Sequence, residues 1–426
     1  MSKINKIFTS FVIFLVLALN VQAEPVSREE VKKVANRVIE LYNTSGTRAV
    51  AEVTAHQLEN GATAYYLVEL QPTGWVIVSA DDILKPVIGF SFDNQLEPFD
   101  QWEWSAKVWF SKIDKHIGLA LENPDLEKNE GWTSLYSSGY LKSTTIQEIK
   151  PIIKVNWDQG SGWNRYSPAD SKGPGGHAYI GCVSVCMAQA MSVYEYPAYP
   201  KGEHGYTHDD YGYLYVNYDN QPAYDWSNMS ASYSDNENAR LLYHLAVAVD
   251  MDFGADGSGA YTRKTPSVMK EHFGYSESAK YEYRVNFTDA QWKQKLIDEL
   301  VQGRPLIYAG DGNNNEPGHA FNVDGVKSDG NYFHLNWGWS GSGNGYYTLD
   351  ALIPNGQNFS FDQAAVFGIK PTSAGPYNIT LPVQSVYDKQ SEGTFVSKVE
   401  VADEDENNTY TYVLKGRFNV FLDDYG

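Results

Sequence analysis

Only two cysteines occur in the 426 residues, Cys182 and Cys186, four positions apart. On a helix such a pair shares one face but points along it, in poor geometry for a bridge. Without a disulfide framework the chain must be held by apolar cores, and its length allows two or three of them. The composition agrees, with 42% apolar, 20% charged and 14% aromatic residues, 31 of them tyrosines. These are the proportions of a folded globular protein. The formal net charge of −20 repels phosphate backbones and anionic lipid surfaces, so no nucleic-acid or membrane partner is expected.

Lys3 and Lys6 precede an apolar run from Phe8 to Leu19, and Val21-Gln22-Ala23 follows with a small residue at its end. This is the pattern of a secretory signal peptide over residues 1–23, which predicts a secreted protein, extracellular or periplasmic. No later segment reaches the roughly 18 continuous apolar residues that a membrane helix requires. An exported chain that keeps a free thiol either buries it inertly or uses it.

After the leader, Ser27-Arg28-Glu29-Glu30 has the form of a capping box, and Val31, Val34, Ala35, Val38 and Ile39 follow at helical spacing. Asn60-Gly61 marks a hairpin between strand-like runs at 50–58 and 64–70, and Trp75–Val78 forms a third run. Residues 24–149 thus form a small α+β domain, with Ser134–Thr145, rich in Ser, Gly and Thr, as a flexible connection. Residues 150–371 are dense in Gly, Tyr and Trp. They predict one helix starting near Cys182 and strands near 305–308, 319–323 and 332–337. Residues 372–426 alternate apolar and polar around an acidic turn at Asp403–Glu406, as a β-rich appendage would.

Gly181-Cys182-Val183 places a cysteine at a helix start, where the dipole and free backbone N–H groups favour thiolate. Val183, Met187, Ala190, Met191 and Tyr194 form the apolar face of that helix, and Cys186, one turn in, is a small core residue. A thiolate nucleophile needs a base. Of nine histidines, His319 in Gly318-His319-Ala320-Phe321 sits between a glycine that leaves room for substrate and a strand that holds the ring. It lies 137 residues after Cys182, inside the interval of roughly 130–150 typical of papain-like enzymes. Asn336-Trp337-Gly338-Trp339 comes next, where an amide can accept the His319 Nδ1 proton and an indole can shield that bond. Upstream, Gln159 in Asn156-Trp157-Asp158-Gln159-Gly160 can donate with the Cys182 N–H to an oxyanion.

Taken together, these blocks resemble the streptopain family of secreted bacterial cysteine peptidases, which includes interpain-like enzymes. The likeness extends from Gly74–Asp82, similar to that family's propeptide, through Asn156–Gly160, Gly181–Val183, Asp250–Gly254 and Gly318–Phe321 to Asn336–Trp339 and Tyr346–Pro354. The resemblance implies an α+β, papain-like domain over 150–371 and an inhibitory prodomain over 24–149. It implies Cys182 as nucleophile, His319 as base, Gln159 in the oxyanion hole, and Asn336 or Trp337 in support of His319. Ser258 and Gly318 would line the substrate cleft. Substrates would be proteins or peptides, with the prodomain as inhibitor and no cofactor or metal.

Two other readings share these residues: an acyl transferase on the same scaffold, and a secreted binding or inhibitor protein with an idle cleft. His204 and His208 stand four apart, but their surroundings look like loop and lack the Glu of a zinc protease. Asp250, Asp252 and Asp256 lack the terminal Glu of a calcium loop, so a turn beside the cleft is expected there.

Overall fold

The computed structural model describes residues 24–96, 104–123, 126–137, 146–310, 319–349, 363–372, 377–380 and 400–402. The expected leader, Gly318 and the acidic turn at 403–406 lie outside them. Helix α1 (Arg28–Tyr42) begins where Ser27 Oγ accepts from the Glu30 N–H at 3.2 Å, half of the expected capping box and worth about 1 kcal/mol. Its apolar stripe, Val31, Val34, Ala35 and Val38, is buried against strands β1 (Ala49–Gln57), β2 (Thr63–Gln71) and β3 (Trp75–Ser79). Gly61, at φ +85°, supplies the left-handed turn between β1 and β2. Strand β4 (Val87–Ser91), helix α2 (Trp104–Leu121) and helix α3 (Gly131–Leu135) complete the N-terminal region.

The central region opens with helix α4 (Cys182–Ser192), followed by β5 (Glu203–His208), β6 (Gly212–Asn217), α5 (Asn236–Ala248), α6 (Thr265–Phe273), β7 (Lys280–Tyr283) and α7 (Asp289–Val301). Strands β8 (Leu306–Gly310), β9 (His319–Val326), β10 (Tyr332–Asn336), β11 (Gly345–Thr348) and β12 (Gln363–Phe367) follow. A short antiparallel pair, β13 (Tyr377–Thr380) and β14 (Glu400–Ala402), lies in the expected appendage.

One ten-stranded sheet runs through both regions in the order β1-β2-β3-β4-β11-β10-β9-β8-β12-β7. The join is antiparallel between β4 and β11, with Phe90 opposite Tyr346 and Gly89 opposite Tyr347. Helix α4 packs against β9 on one side and α5 on the other. That placement corrects the expected one-sided helix, because residues 182–191 are buried all round, as a helix threaded through a core must be.

Two further expectations change. The start of the predicted flexible connection is tied down: Ser134 and Leu135 belong to α3, Trp132 Nε1 donates to Leu84 O, and Arg37 Nε donates to Leu135 O. The segment around His204 and His208 is a β-hairpin, β5 with β6, not a loop. Strand period two therefore places His204, Tyr206 and His208 on one face. There His204 pairs with Asp250 at 2.6 Å, Tyr206 OH donates to Met251 O, and His208 pairs with Asp252 at 3.1 Å. Among the described residues no cluster of three or more His, Cys, Asp or Glu could hold a metal ion, and no helix is long and apolar enough to cross a membrane.

Candidate active site

Cys182 stands at the first position of α4 behind Gly181, whose φ of +88° no β-carbon would suit. Sterics also demand glycine there, since a Cβ on Gly181 would lie 2.5 Å from Met251 Sδ and 3.3 Å from Ser258 O. Sγ of Cys182 accepts from the Ala320 N–H at 3.5 Å. The first residues of β9 are thereby laid across the start of α4, which places His319 beside the thiol. Burial pushes the Cys182 thiol up, and the backbone N–H groups of Ala320, Cys182 and Val183 pull it down without prevailing. In this covered state the thiol lies above its ordinary range. The expected depression by the helix start is present as a contribution and is outweighed by desolvation. Cys186 is fully buried, and burial, then the neighbouring Cys182, raises it well above the thiol range. Both cysteines are free.

His319 is 3% exposed. Its Nε2 lies 3.3 Å from the Trp337 carbonyl oxygen. A carbonyl only accepts, so Nε2 carries the hydrogen, and a neutral ring then has its lone pair on Nδ1. This reverses the expected arrangement, in which Nδ1 donates to an amide. The Asn336 side chain is engaged elsewhere: Oδ1 accepts from Gln189 Nε2 at 3.1 Å and from the Gly338 N–H at 3.2 Å, and Nδ2 donates to Val155 O at 3.1 Å. Trp339 stacks on the imidazole at 5.1 Å and 20°, and Trp337 stacks on Trp339 at 5.0 Å and 3°. Two indoles thus wall the ring from water, one of them in a residue to which the motif alone gave no task.

Gln159 is pinned next to α4, since its carbonyl accepts from the Ile180 N–H at 3.1 Å. Asp158 braces the same turn: Oδ1 accepts from the N–H groups of Gln159 and Gly160, and Oδ2 accepts from Ser340 Oγ at 2.6 Å. Ser258 Oγ donates to Tyr179 O at 2.6 Å and accepts from the Gly254 N–H at 3.0 Å. Its hydroxyl holds the 250–259 turn against the segment leading into Cys182. Cys182, His319, Trp337, Gln159 and Ser258 therefore converge on the start of α4, whereas Asn336 acts one layer behind and Gly318 lies outside the described residues. Sequence patterns gave no role to Gln189 or to Asn344, whose Oδ1 accepts from the Trp337 N–H at 3.0 Å. The first had a visible signal, a lone amide in an apolar helix seven residues after Cys182, on the same face.

Comparison with known proteins decides the relationship. Residues 157–347 match the model of the peptidase C10 family, and residues 23–117 match that of the Spi protease inhibitor. Over 157–347 the chain is therefore similar to the peptidase C10 family. It is 27% identical to streptopain of Streptococcus pyogenes over 364 residues, covering 77% of this chain and 87% of that protein. It is 28% identical over 399 residues to the thiol protease/hemagglutinin PrtT of Porphyromonas gingivalis, covering 87% of this chain but 44% of that one. A fragment of prointerpain A from Prevotella intermedia superposes with a TM-score of 0.59 at 29% identity, over 76% of this chain and all of the fragment. The chain is a cysteine-type peptidase of papain-like α+β fold, preceded by an inhibitor-like region as in a protease zymogen.

Proposed function

We propose that the protein is a secreted cysteine endopeptidase, with residues 1–23 as signal peptide, 24–149 as inhibitory prodomain, 150–371 as catalytic domain and 372–426 as an appendage. The observation that carries the reading is the Ala320 N–H to Cys182 Sγ contact, which sets the only cysteine at a helix start against the strand that begins with His319. With Nε2–H held by the Trp337 carbonyl, His319 Nδ1 takes the thiol proton. The thiolate attacks the scissile carbonyl, and the developing oxyanion receives N–H bonds from the Cys182 backbone and the Gln159 side chain. His319 then returns the proton to the leaving amine, and water activated by the same nitrogen releases the acyl group from Cys182. Asn336 supports this arrangement from behind the Trp337 turn, while Ser258 and Gly318 border the bound peptide. The prodomain covers the cleft until export.

Labelling the secreted protein with a thiol-reactive peptide epoxide tests the reading. Modification is expected on Cys182 alone and to depend on His319. Label on Cys186, or equal labelling of a His319→Ala protein, would sink it.

A further inference from the structure

The side chains at 182, 185 and 189 are three and four apart and so lie along one face of α4. The first is the thiol. The second, Val185, touches the 336–338 turn: a Cβ on Gly338 would sit 2.9 Å from Val185 Cγ1, and Gly338 has φ +72°. The third, Gln189, is fully buried and donates to Asn336 Oδ1. One helix face thus presents the nucleophile and seats the turn whose central carbonyl holds His319.

The direction of this bond is not arbitrary. Asn336 is oriented by two backbone groups of fixed polarity, the Gly338 N–H, which needs an acceptor, and the Val155 carbonyl, which needs a donor. Oδ1 must therefore face Gly338, and Gln189 can meet it only through its NH2 group. Gln189 Oε1 makes no hydrogen bond among the described residues, so the residue is placed there as a donor at the cost of a buried, unsatisfied oxygen. Cores rarely tolerate such an atom without a return elsewhere.

We propose that Gln189 is a positioning residue: through Asn336 it holds the 336–338 turn so that the Trp337 carbonyl accepts from His319 Nε2 and leaves Nδ1 directed to Cys182. The significance for turnover rests on the reading of His319 as base. The geometric claim does not. The thiol and the support of its partner are gauged from one rigid helix, so their separation is insensitive to movement of the loops between them.

The test uses the full-length chain kept untrimmed by Cys182→Ala and labelled with 15N-histidine. A slowly exchanging imidazole Nε2–H signal is expected, assigned by its loss in His319→Ala. Gln189→Met, similar in length but without the donor, is expected to speed its exchange at least about fivefold. Met187→Leu, on the same buried helix, is expected to leave it unchanged. Unchanged exchange in Gln189→Met, or no protected Nε2–H in the parent, overturns the proposal. If Gln189→Met fails to fold, Gln189→Leu gives the same readout, since it too is apolar and cannot donate to Asn336 Oδ1. In the trimmed enzyme with Cys182 restored, Gln189→Met is expected to lower kcat roughly 10–100-fold with KM little changed, as loss of an outer support does elsewhere. If His319→Ala retains activity while the exchange result holds, the base assignment falls and the positioning stands.

Discussion

The two halves of the long sheet are joined less firmly to each other than either is within itself. In the N-terminal half β1 and β2 pair over eight register positions, whereas β4 and β11 meet over only two. What the seam lacks in backbone bonds it gains in aromatic packing. Phe90 stacks on Tyr42 at 4.9 Å and on Tyr346 at 5.8 Å, with Tyr332 edge-on at 5.2 Å. An inhibitor-like region built this way is held by side-chain shape, and such a joint can open without unravelling either half. The proposed chemistry lies wholly on the β7–β12 side, so substitutions there should separate activity from folding.

The sharpest such separation is Cys182→Ala. Casein cleavage is expected to fall to the buffer rate while the circular dichroism spectrum and melting midpoint are kept, and Cys186→Ala is expected to leave cleavage largely intact. Residual cleavage by a folded Cys182→Ala protein breaks the assignment. Gln159→Ala should come next, with kcat reduced roughly 10²–10³-fold and a smaller change in KM, because an oxyanion donor acts mainly in the transition state. A rise in KM alone would make Gln159 a binding residue.

Much of this was legible in the residues and some was not, for physical reasons. The β1–β2 hairpin, α1 and the start of α4 announce themselves through local chemistry: Asn60-Gly61, Ser27 with its apolar stripe, and Gly181 before Cys182. The Thr288 and Asp235 caps of α7 and α5 are local signals of the same kind. Adjacency hid the support of His319, because Asn336 and Trp337 are neighbours and only the direction of β10 decides which group faces the ring. The seam was out of reach, since Gly89 and Tyr347 are far apart in sequence and strand pairing at that range leaves no local mark. The segment holding His204 and His208 looks like loop for a third reason: its Asp, Gly and Tyr residues mask a hairpin in which two steps of period two bring both rings to one face.

Acid should weaken the β7–β12 half through His244 on α5. Burial, with the charge of Arg240, holds its imidazole down to about 3, and Tyr224 OH lies 2.7 Å from Nδ1. Unfolded, the ring titrates at about 6.5. Between those values the unfolded chain binds the extra proton, so stability is full above about pH 6.5 and falls toward pH 3, by at most about 1.4 kcal/mol per pH unit for this one group. Urea unfolding of the full chain at pH 7, 6, 5 and 4 should show this slope, and His244→Gln should flatten it over the same range. Parallel curves for the two proteins would remove His244 from the account.

The smallest effect tests the seam itself. Gly89 has no room for a side chain: a Cβ there would lie 2.5 and 2.8 Å from Tyr347 ring carbons and 3.1 Å from Tyr346 O. Tyr347 cannot swing aside, because it is buried, its hydroxyl donates to Gly343 O at 2.7 Å, and Trp337 stands edge-on to it at 5.3 Å. Gly89→Ala should therefore part β4 from β11 and not be absorbed by the core, at a cost of about 1–3 kcal/mol, as for other overpacked sites. In the Cys182→Ala background the full chain should melt earlier, and a trace of active enzyme should trim it faster. The new chain end should fall at or shortly before residue 150, since Ile149 exchanges backbone bonds with Val326 at 2.9 and 2.8 Å and Ile152 donates to Asp324 O at 3.0 Å, tying the chain at this boundary to β9. Trimming at the unaltered rate, with an unchanged melt, would mean that the two halves are not held through this seam.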